Sequence, residues 1–444
     1  MGEVTLQEIL DAREKRAIKQ RAMLDNYRCP LICFTMNIAG PIKTNPLVKR
    51  AFYEGLGFLK NALPKDKVRS IESEVLPTGC EAFLPVDTNA EEIKKICVDI
   101  EDATPLGRLF DMDVLDTDGK KLDRKIERGC IVCGEKGRSC ASRRLHSVEQ
   151  LQKVTHEIIH RYFEKADREK ISAIVTQSLI DEAKTTPKPG LVDGRNSGSH
   201  KDMNIITFLK SADALKPYFY ECIKIGQTTK ELSPDEVFAL LRKEGIIAEK
   251  TMYDATGGVN THKGAIYSLG VICGAVGRLW TGEISIADTD KILAECKSLV
   301  KESTKEDFEK IDSSTAGGRL YKEHGLRGIR GEVADGFPSV SKISLPVYKK
   351  ALSSGLSEND AGVISLLHLI ANTDDTNLYK RGGMDGIEYA KKSVRDILAK
   401  SSFPEKNEIE TLDDKFIEKN LSPGGCADLL AVTYFLNKIK SGVF

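Results

Sequence analysis

Residues 255–280 read ATGGVNTHKGAIYSLGVICGAVGRLW. From Ala265 onward the stretch is apolar on nearly every side, which predicts a buried helix. Before it come two glycines, a polar pair and then His262, Lys263 and Gly264, which predict a turn at that helix's N-terminus. Gly257 and Gly258 would free backbone N–H groups there. Those groups, the positive end of the helix dipole and Lys263 would face one spot, and a phosphate chain suits such a spot. Without a ligand, the same residues would form only a glycine-rich helix cap.

Four more stretches share this character. TTPKPGLVDGRNSGSHKDM (185–203) is a loop pinned by two prolines that carries Lys188, Asp193, Arg195, Asn196, His200 and Asp202. TAGGRLYKEHGLRGIRGE (315–332), NTDDTNLYKRGG (372–383) and LSPGGCADLLA (421–431) are glycine-rich or acidic turns feeding helices. In a helical bundle such turns can gather at one end into a pocket. Arg319, Arg327 and Arg330 offer planar forks for phosphate. Asp374 and Asp375 can hold Mg²⁺ on a triphosphate, and Asn260 and Asn377 can read a base or ribose. Ser422, before Pro423, reads as a helix cap. Helical patterns cover about 168–184, 206–225, 234–249, 263–280, 287–302, 340–353, 358–371, 384–400, 407–420 and 425–440. Strand signals nearly vanish, so this part is expected to be all-α.

The N-terminal part mixes both kinds of element. Helices are expected over 5–25, 47–63 and 90–103, and strands over 30–36, 81–87 and 107–116. A further helix runs from Ser147 to about Ala183, with charge-dense EKADREK (164–170) as the best linker. The fold class is therefore an α+β domain over 1–165 followed by an all-α domain over 166–444. In GRLFDMDVL, Asp111 and Asp113 are two apart on a strand and point to one face. Two such carboxylates can hold Mg²⁺, with Arg108 near enough to contact a phosphate. In CIVCGEKGRSCASRRLH, Cys130 and Cys133 have metal-ligand spacing, and Cys140 and His146 would complete a Cys₃His zinc site. Reduced thiols in a tight turn are the plainer reading of the same residues. The basic stretch 120–144 suits an acidic partner or a polyphosphate.

Composition excludes several classes. Lys+Arg and Asp+Glu both total 66 in 444 residues, so net charge argues against nucleic acid and anionic membranes as partners. No apolar run reaches the roughly 20 residues that span a bilayer. The opening MGEVTLQEILDAREKRAIKQ reads as a charged helix rather than a signal peptide. The 11 cysteines, mostly in apolar contexts, suit a reducing cytoplasm.

REKRAIKQ, PLICFTMNIAGPIK, PLGRLFDMDVL and CIVC…C…RRLH together resemble the apo-citrate lyase phosphoribosyl-dephospho-CoA transferase family, over about 5–165. The resemblance implies transfer of that group from a triphosphate precursor to a serine of the lyase's apo acyl carrier subunit, releasing pyrophosphate. Arg108, Asp111 and Asp113 would then be the metal and phosphate centre, and a nucleotidyltransferase-like palm is suggested. TPKPGLVD, ATGGVNTHKGAIYSLG, TAGG, G-x-RGE, DDTN and SPGGCADLLA, in that order, resemble the triphosphoribosyl-dephospho-CoA synthase family, over about 170–440. That implies attack of the 2′-hydroxyl of 3′-dephospho-CoA on C1′ of ATP's ribose, with adenine leaving. Gly257, Gly258, Lys263, the arginines and Mg²⁺ would clamp the triphosphate, with Lys188, Asn196, Asn260 and Asn377 lining the site. Asp193, Asp202, Asp374 and Asp375 are candidates for base and for oxocarbenium stabilisation, and His262 for acid or phosphate ligand. Two other readings stay open: a synthase serving malonate decarboxylase, and a zinc-containing scaffold without catalysis.

Overall fold

The structure is a computed structural model that describes residues 2–135, 137–283, 288–310 and 316–442. The chain divides into two units, one of residues 1–166 with 282–284, the other of 167–281 with 285–444. Among the described residues no helix is long and apolar enough to cross a membrane.

In the first unit α1 (Leu6–Tyr27) starts at a capping box, in which Thr5 and Glu8 satisfy each other's backbone N–H groups. Then come β1 (Leu31–Met36), α2 (Pro46–Ala62), β2 (Glu72–Leu76), β3 (Gly79–Pro85) and α3 (Ala90–Ala103). β4 (Phe110–Leu115), α4 (Gly137–Arg143) and α5 (Val148–Lys184) follow. The strands form one antiparallel sheet of order β2-β3-β1-β4. Its alternation sorts the core. Phe34 stacks on Phe52 of α2 at 5.0 Å and meets Phe110 edge-on at 5.2 Å. On the other face Leu31, Cys33 and Phe83 take up Met23 and Leu24 of α1. Each such large side chain, once buried, stabilises the fold by roughly 1.5–3 kcal/mol. Asp113 lies opposite Cys33 and Asp111 opposite Thr35, so both aspartates share α1's face on an edge strand. β2 is mostly exposed, which explains why no apolar alternation announces it.

The second unit is helical: α6 (Ile205–Thr228), α7 (Pro234–Thr256), α8 (Lys263–Leu279), α9 (Thr289–Glu309), α10 (Ala316–His324) and α11 (Gly328–Ala334). A π-turn (Val340–Ser344) leads to α12 (Leu345–Ser353), α13 (Glu358–Asn372), α14 (Thr376–Lys400), α15 (Lys406–Glu418) and α16 (Gly424–Gly442). The apolar helix predicted after Ala265 is α8, packed against α6, α7, α9 and α16. It touches α6 backbone to backbone: a Cβ on Gly226 would stand 2.1 Å from the Gly274 carbonyl oxygen.

EKADREK lies inside continuous α5, and the boundary between the two units, after Ala166, falls within it. Its charges have internal partners: Asp167 accepts from the Trp280 indole at 2.7 Å, and Arg168 donates to Gln227 at 2.8 Å. Residues 376–383 are helix rather than turn, because Asp375 caps α14 and the break comes only at Gly383 (φ 64°).

Candidate functional site

β4 carries its two aspartates into a cleft of about 1100 Å³, lined also by Lys94, Glu101, Arg108, Lys121 and Arg128. Lys121 Nζ holds Asp113 at 2.5 Å. Asp111 is open at the rim. Even so, the cleft walls raise its carboxyl above the usual range, and the Asp113 charge adds to that against Lys121 and Arg128. A carboxylate so placed gains from a cation. Arg108 is tied to the Gly129 carbonyl oxygen at 2.5 Å, which aligns it with this cleft.

Cys130 and Cys140 border the same cleft. With Cys133 and His146 they bring four ligand atoms within 4.8 Å of one another. Cys133 and Cys140 sulfurs are 3.4 Å apart, and His146 Nε2 is 3.3 Å from Cys133. Such spacings match edges of a tetrahedron around an ion with bonds of about 2.0–2.3 Å. Cys133 beside it pushes the Cys140 thiol up to about 12. For Cys130, burial acts upward but the N–H groups of Cys133 and Val132 win, and its thiol is lowered.

In the second unit the predicted turns do meet, through contacts of their own. The 185–203 loop is bound to the stretch before α16. Asp413 accepts from Gly190 N and Asn196 Nδ2, both at 2.8 Å, and from Arg195 at 2.6 Å. His200 Nε2 lies 2.9 Å from Ser422 Oγ, and Arg381 reaches His200 Nδ1 at 3.1 Å. Since an arginine can only donate, Nδ1 accepts and Nε2 carries the proton toward Ser422. Burial, then Arg381, lowers His200 to about 4, so it is neutral at pH 7. Asp375 spans two turns, accepting from Asn377 N at 2.7 Å and from Cys426 N at 2.8 Å. Gly264 opens α8 directly against Asp428 of α16: a Cβ there would fall 1.9 Å from the carboxylate. Gly328 likewise abuts Thr376.

Asp428 and Glu182 are the functional candidates that sequence reasoning missed. Asp428 is raised well above its ordinary value by burial, then by Glu182 and Asp375, against one N–H from Ala265. Asp375 and Glu182 are raised too, each chiefly by burial. The cation beside Glu182 is Lys188, whose Nζ donates to it at 2.5 Å. Asp428 stands in LSPGGCADLLA, one helical turn past Gly424, so its spacing was a usable signal.

Most other predicted ligands also have partners within the chain. Both Gly257 and Gly258 amides donate to Tyr253 O, because Gly257 (φ 67°) is the left-handed cap ending α7. Both amides are taken by that cap. Lys263 is the first residue of α8, exposed, and bonded to Glu249 at 2.8 Å, while Asn260 Oδ1 accepts from Lys263 N at 3.3 Å. His262 is buried behind them. Its Nδ1 lies 2.8 Å from Ser211 Oγ, while Nε2 has no partner, and burial and then Lys188 lower it to about 3. Lys188, Asp193 and Asn196 brace the 185–203 loop from within, Asp193 accepting from Lys188 N at 2.8 Å and from Asn196 N at 3.0 Å. Asp202 is exposed near His200. Asp374 pairs with Lys391, Arg327 with Asp335, and Arg330 with Asp307 at 3.3 Å. Asn377 stands over Gly424 at the start of α16. The Arg319 side chain lies outside the described residues.

Comparison with known proteins agrees with this division. The family of ATP:dephospho-CoA triphosphoribosyl transferases matches residues 168–443, and that of apo-citrate lyase phosphoribosyl-dephospho-CoA transferases matches 4–162. "Protein CitXG" of Haemophilus influenzae is 35% identical over 98% of this chain and 96% of its own. Its namesake from Leuconostoc mesenteroides subsp. cremoris is 32% identical over 98% and 97%. A probable 2-(5''-triphosphoribosyl)-3'-dephosphocoenzyme-A synthase of Vibrio cholerae is 40% identical over 61% of this chain and 88% of its own. The chain therefore belongs to the CitX–CitG fusion family, bifunctional transferases that build the citrate lyase prosthetic group and attach it.

Proposed function

We propose that the two activities divide between the units, with synthesis in residues 166–444 and attachment in 1–165. For synthesis, the carrying observation is the meeting of four turns around Asp375 and Asp428. An acidic floor suits the positive charge that develops on ribose as its bond to adenine breaks. The N-termini of α8 and α16, with Lys263, suit the triphosphate. Mg²⁺, which ATP ordinarily brings, would be held by Asp375 rather than by the Asp374–Asp375 pair, since Asp374 is paired with Lys391. Asp428 is the best-placed general base for the 2′-hydroxyl, since a raised carboxyl accepts a proton more readily at neutral pH. His262, neutral with a spare Nε2, suits donation to leaving adenine.

For attachment, Asp111 and Asp113 would hold Mg²⁺ against the precursor's phosphates, and Arg108 would steady the leaving pyrophosphate. Lys120, Lys125, Arg143 and Arg144, all exposed, would receive an acidic apo acyl carrier subunit. The deciding experiment is mass spectrometry of products from ATP, 3′-dephospho-CoA and apo carrier. Free adenine equal to the intermediate formed, then a serine-borne mass gain with pyrophosphate, is the expected result. ADP or AMP in place of adenine would overturn it.

The Cys130, Cys133, Cys140 and His146 cluster fits a structural Zn²⁺. Bound there, the ion would tie 130–146 into one border of the cleft. Elemental analysis should find a single zinc per chain. Cys133→Ser should lose it and lower the first unfolding transition. Full zinc content in Cys133→Ser would remove this assignment.

A further inference from the structure

β4 is an edge strand, so half its backbone groups face away from the sheet. At Met112, between the two aspartates, both of those groups are taken by side chains of α3. Met112 N donates to Glu101 Oε1 at 2.8 Å, and Lys94 Nζ donates to Met112 O at 3.2 Å. Lys94 and Glu101 are seven apart, two turns on one helix face, and both are buried. Glu101's second oxygen accepts from Arg124 at 3.3 Å and pairs with Arg128, whose NH1 donates to Phe110 O at 2.6 Å. Strand ends further on are held by chain: Leu122 N donates to Val114 O at 2.9 Å. The free edge of β4 is thus gripped on both sides of the aspartates and between them.

Burying a lysine and a glutamate is costly, and a merely structural edge is more cheaply blunted by exposed charge or proline. These two groups instead make a pair of charge-assisted bonds to one peptide. We propose that Lys94 and Glu101 are positioning residues for the transfer step. They fix the backbone at Met112 and so set the spacing and direction of Asp111 and Asp113. This rests on the reading of those aspartates as the metal and phosphate centre. A site of that kind must be held to within a fraction of an ångström, and a shift near 1 Å costs about 10²-fold in rate.

The test uses the full chain, whose adenine release reports separately on the second unit. Its 7 methionines can be labelled alone with ¹⁵N, which makes the Met112 amide readable by hydrogen exchange. In Glu101→Met that amide should exchange faster while other methionine amides do not. Carrier labelling should fall about 10²-fold in kcat at unchanged KM for the triphosphate precursor, with adenine release unaltered. Glu101→Gln, which keeps an acceptor for Met112 N–H, should recover most of the rate and the protection. Lys94→Met, which removes the donor to Met112 O, should show the same fall in carrier labelling with adenine release unaltered if Glu101→Met fails to fold. Fast exchange at Met112 with undiminished labelling overturns the proposal, and so does a Glu101→Gln enzyme as poor as Glu101→Met. An Asp111→Asn enzyme that still labels the carrier strikes the aspartate reading itself. One that fails while Glu101→Met works strikes the clamp alone.

Discussion

Asp111→Asn should reduce attachment of the prosthetic group to the carrier by about 10³-fold or more and leave adenine release untouched. A metal held by Asp111 and Asp113 would supply several kcal/mol of charge stabilisation, and each 1.36 kcal/mol is tenfold in rate. Asp111 is the carboxylate that the cleft and Asp113 hold above its ordinary range, so it has most to gain from a cation. Asparagine fits the same space but carries no charge. Asp113 shares the face but already has Lys121, so Asp113→Asn should cost less. Asp116 is the control: it accepts from Asp118 N at 3.0 Å and Lys120 N at 2.8 Å in the turn after β4, and asparagine can accept there too. Intact-mass analysis of the carrier reads all three variants. If Asp111→Asn labels at the wild-type rate, the aspartate strand has no part in transfer.

Asp428→Asn should do two opposite things in the second unit. Adenine release should fall by about 10²–10⁴-fold, the range for loss of a general base. Stability at neutral pH should rise. The sign follows from the direction of the shift. A carboxyl raised in the folded state binds its proton more tightly there than when unfolded. Its favourable contribution is present at low pH and is lost as pH rises through the folded value. As pH rises through the folded value the wild type must ionise a carboxyl beside Glu182 and Asp375, a cost asparagine removes. Near pH 4 the difference between the two proteins should shrink. Thermal unfolding at both pH values, beside an adenine assay, measures it. An Asp428→Asn protein that is less stable at pH 8 than wild type would mean the carboxylate is held for structure rather than for reaction.

Much of the architecture was legible because periodicity is local. The alternation around Asp111 and Asp113 gave their strand and their shared face, and the all-apolar run after Ala265 gave the central helix. The helices expected over 47–63 and 90–103 do form, and Asn45 and Asn89 cap them. The glycine pair at 257–258 closes α7, and a left-handed cap and a phosphate cradle demand the same residue. What separates them is where the preceding helix ends, and α7 continues to Thr256. Lys188 and Asn196 look like ligands in the sequence because polar density in a pinned loop looks alike whether it faces inward or outward. Asp413, which receives that density, lies over two hundred residues away, and no local pattern connects them. Glu101 and Lys94 escaped notice for the same reason, since a helix pattern does not reveal which strand edge it will meet.

The continuous helix Val148–Lys184 also sets terms for anyone wishing to obtain either catalyst alone. The natural place for the scissors, between Ala166 and Asp167, is in mid-helix. A polypeptide begun at Asp167 would open with bare amide donors and need a serine or aspartate grafted ahead of it. Begun a few residues later, it would leave the Trp280 indole and Gln227 without the side chains that answer them.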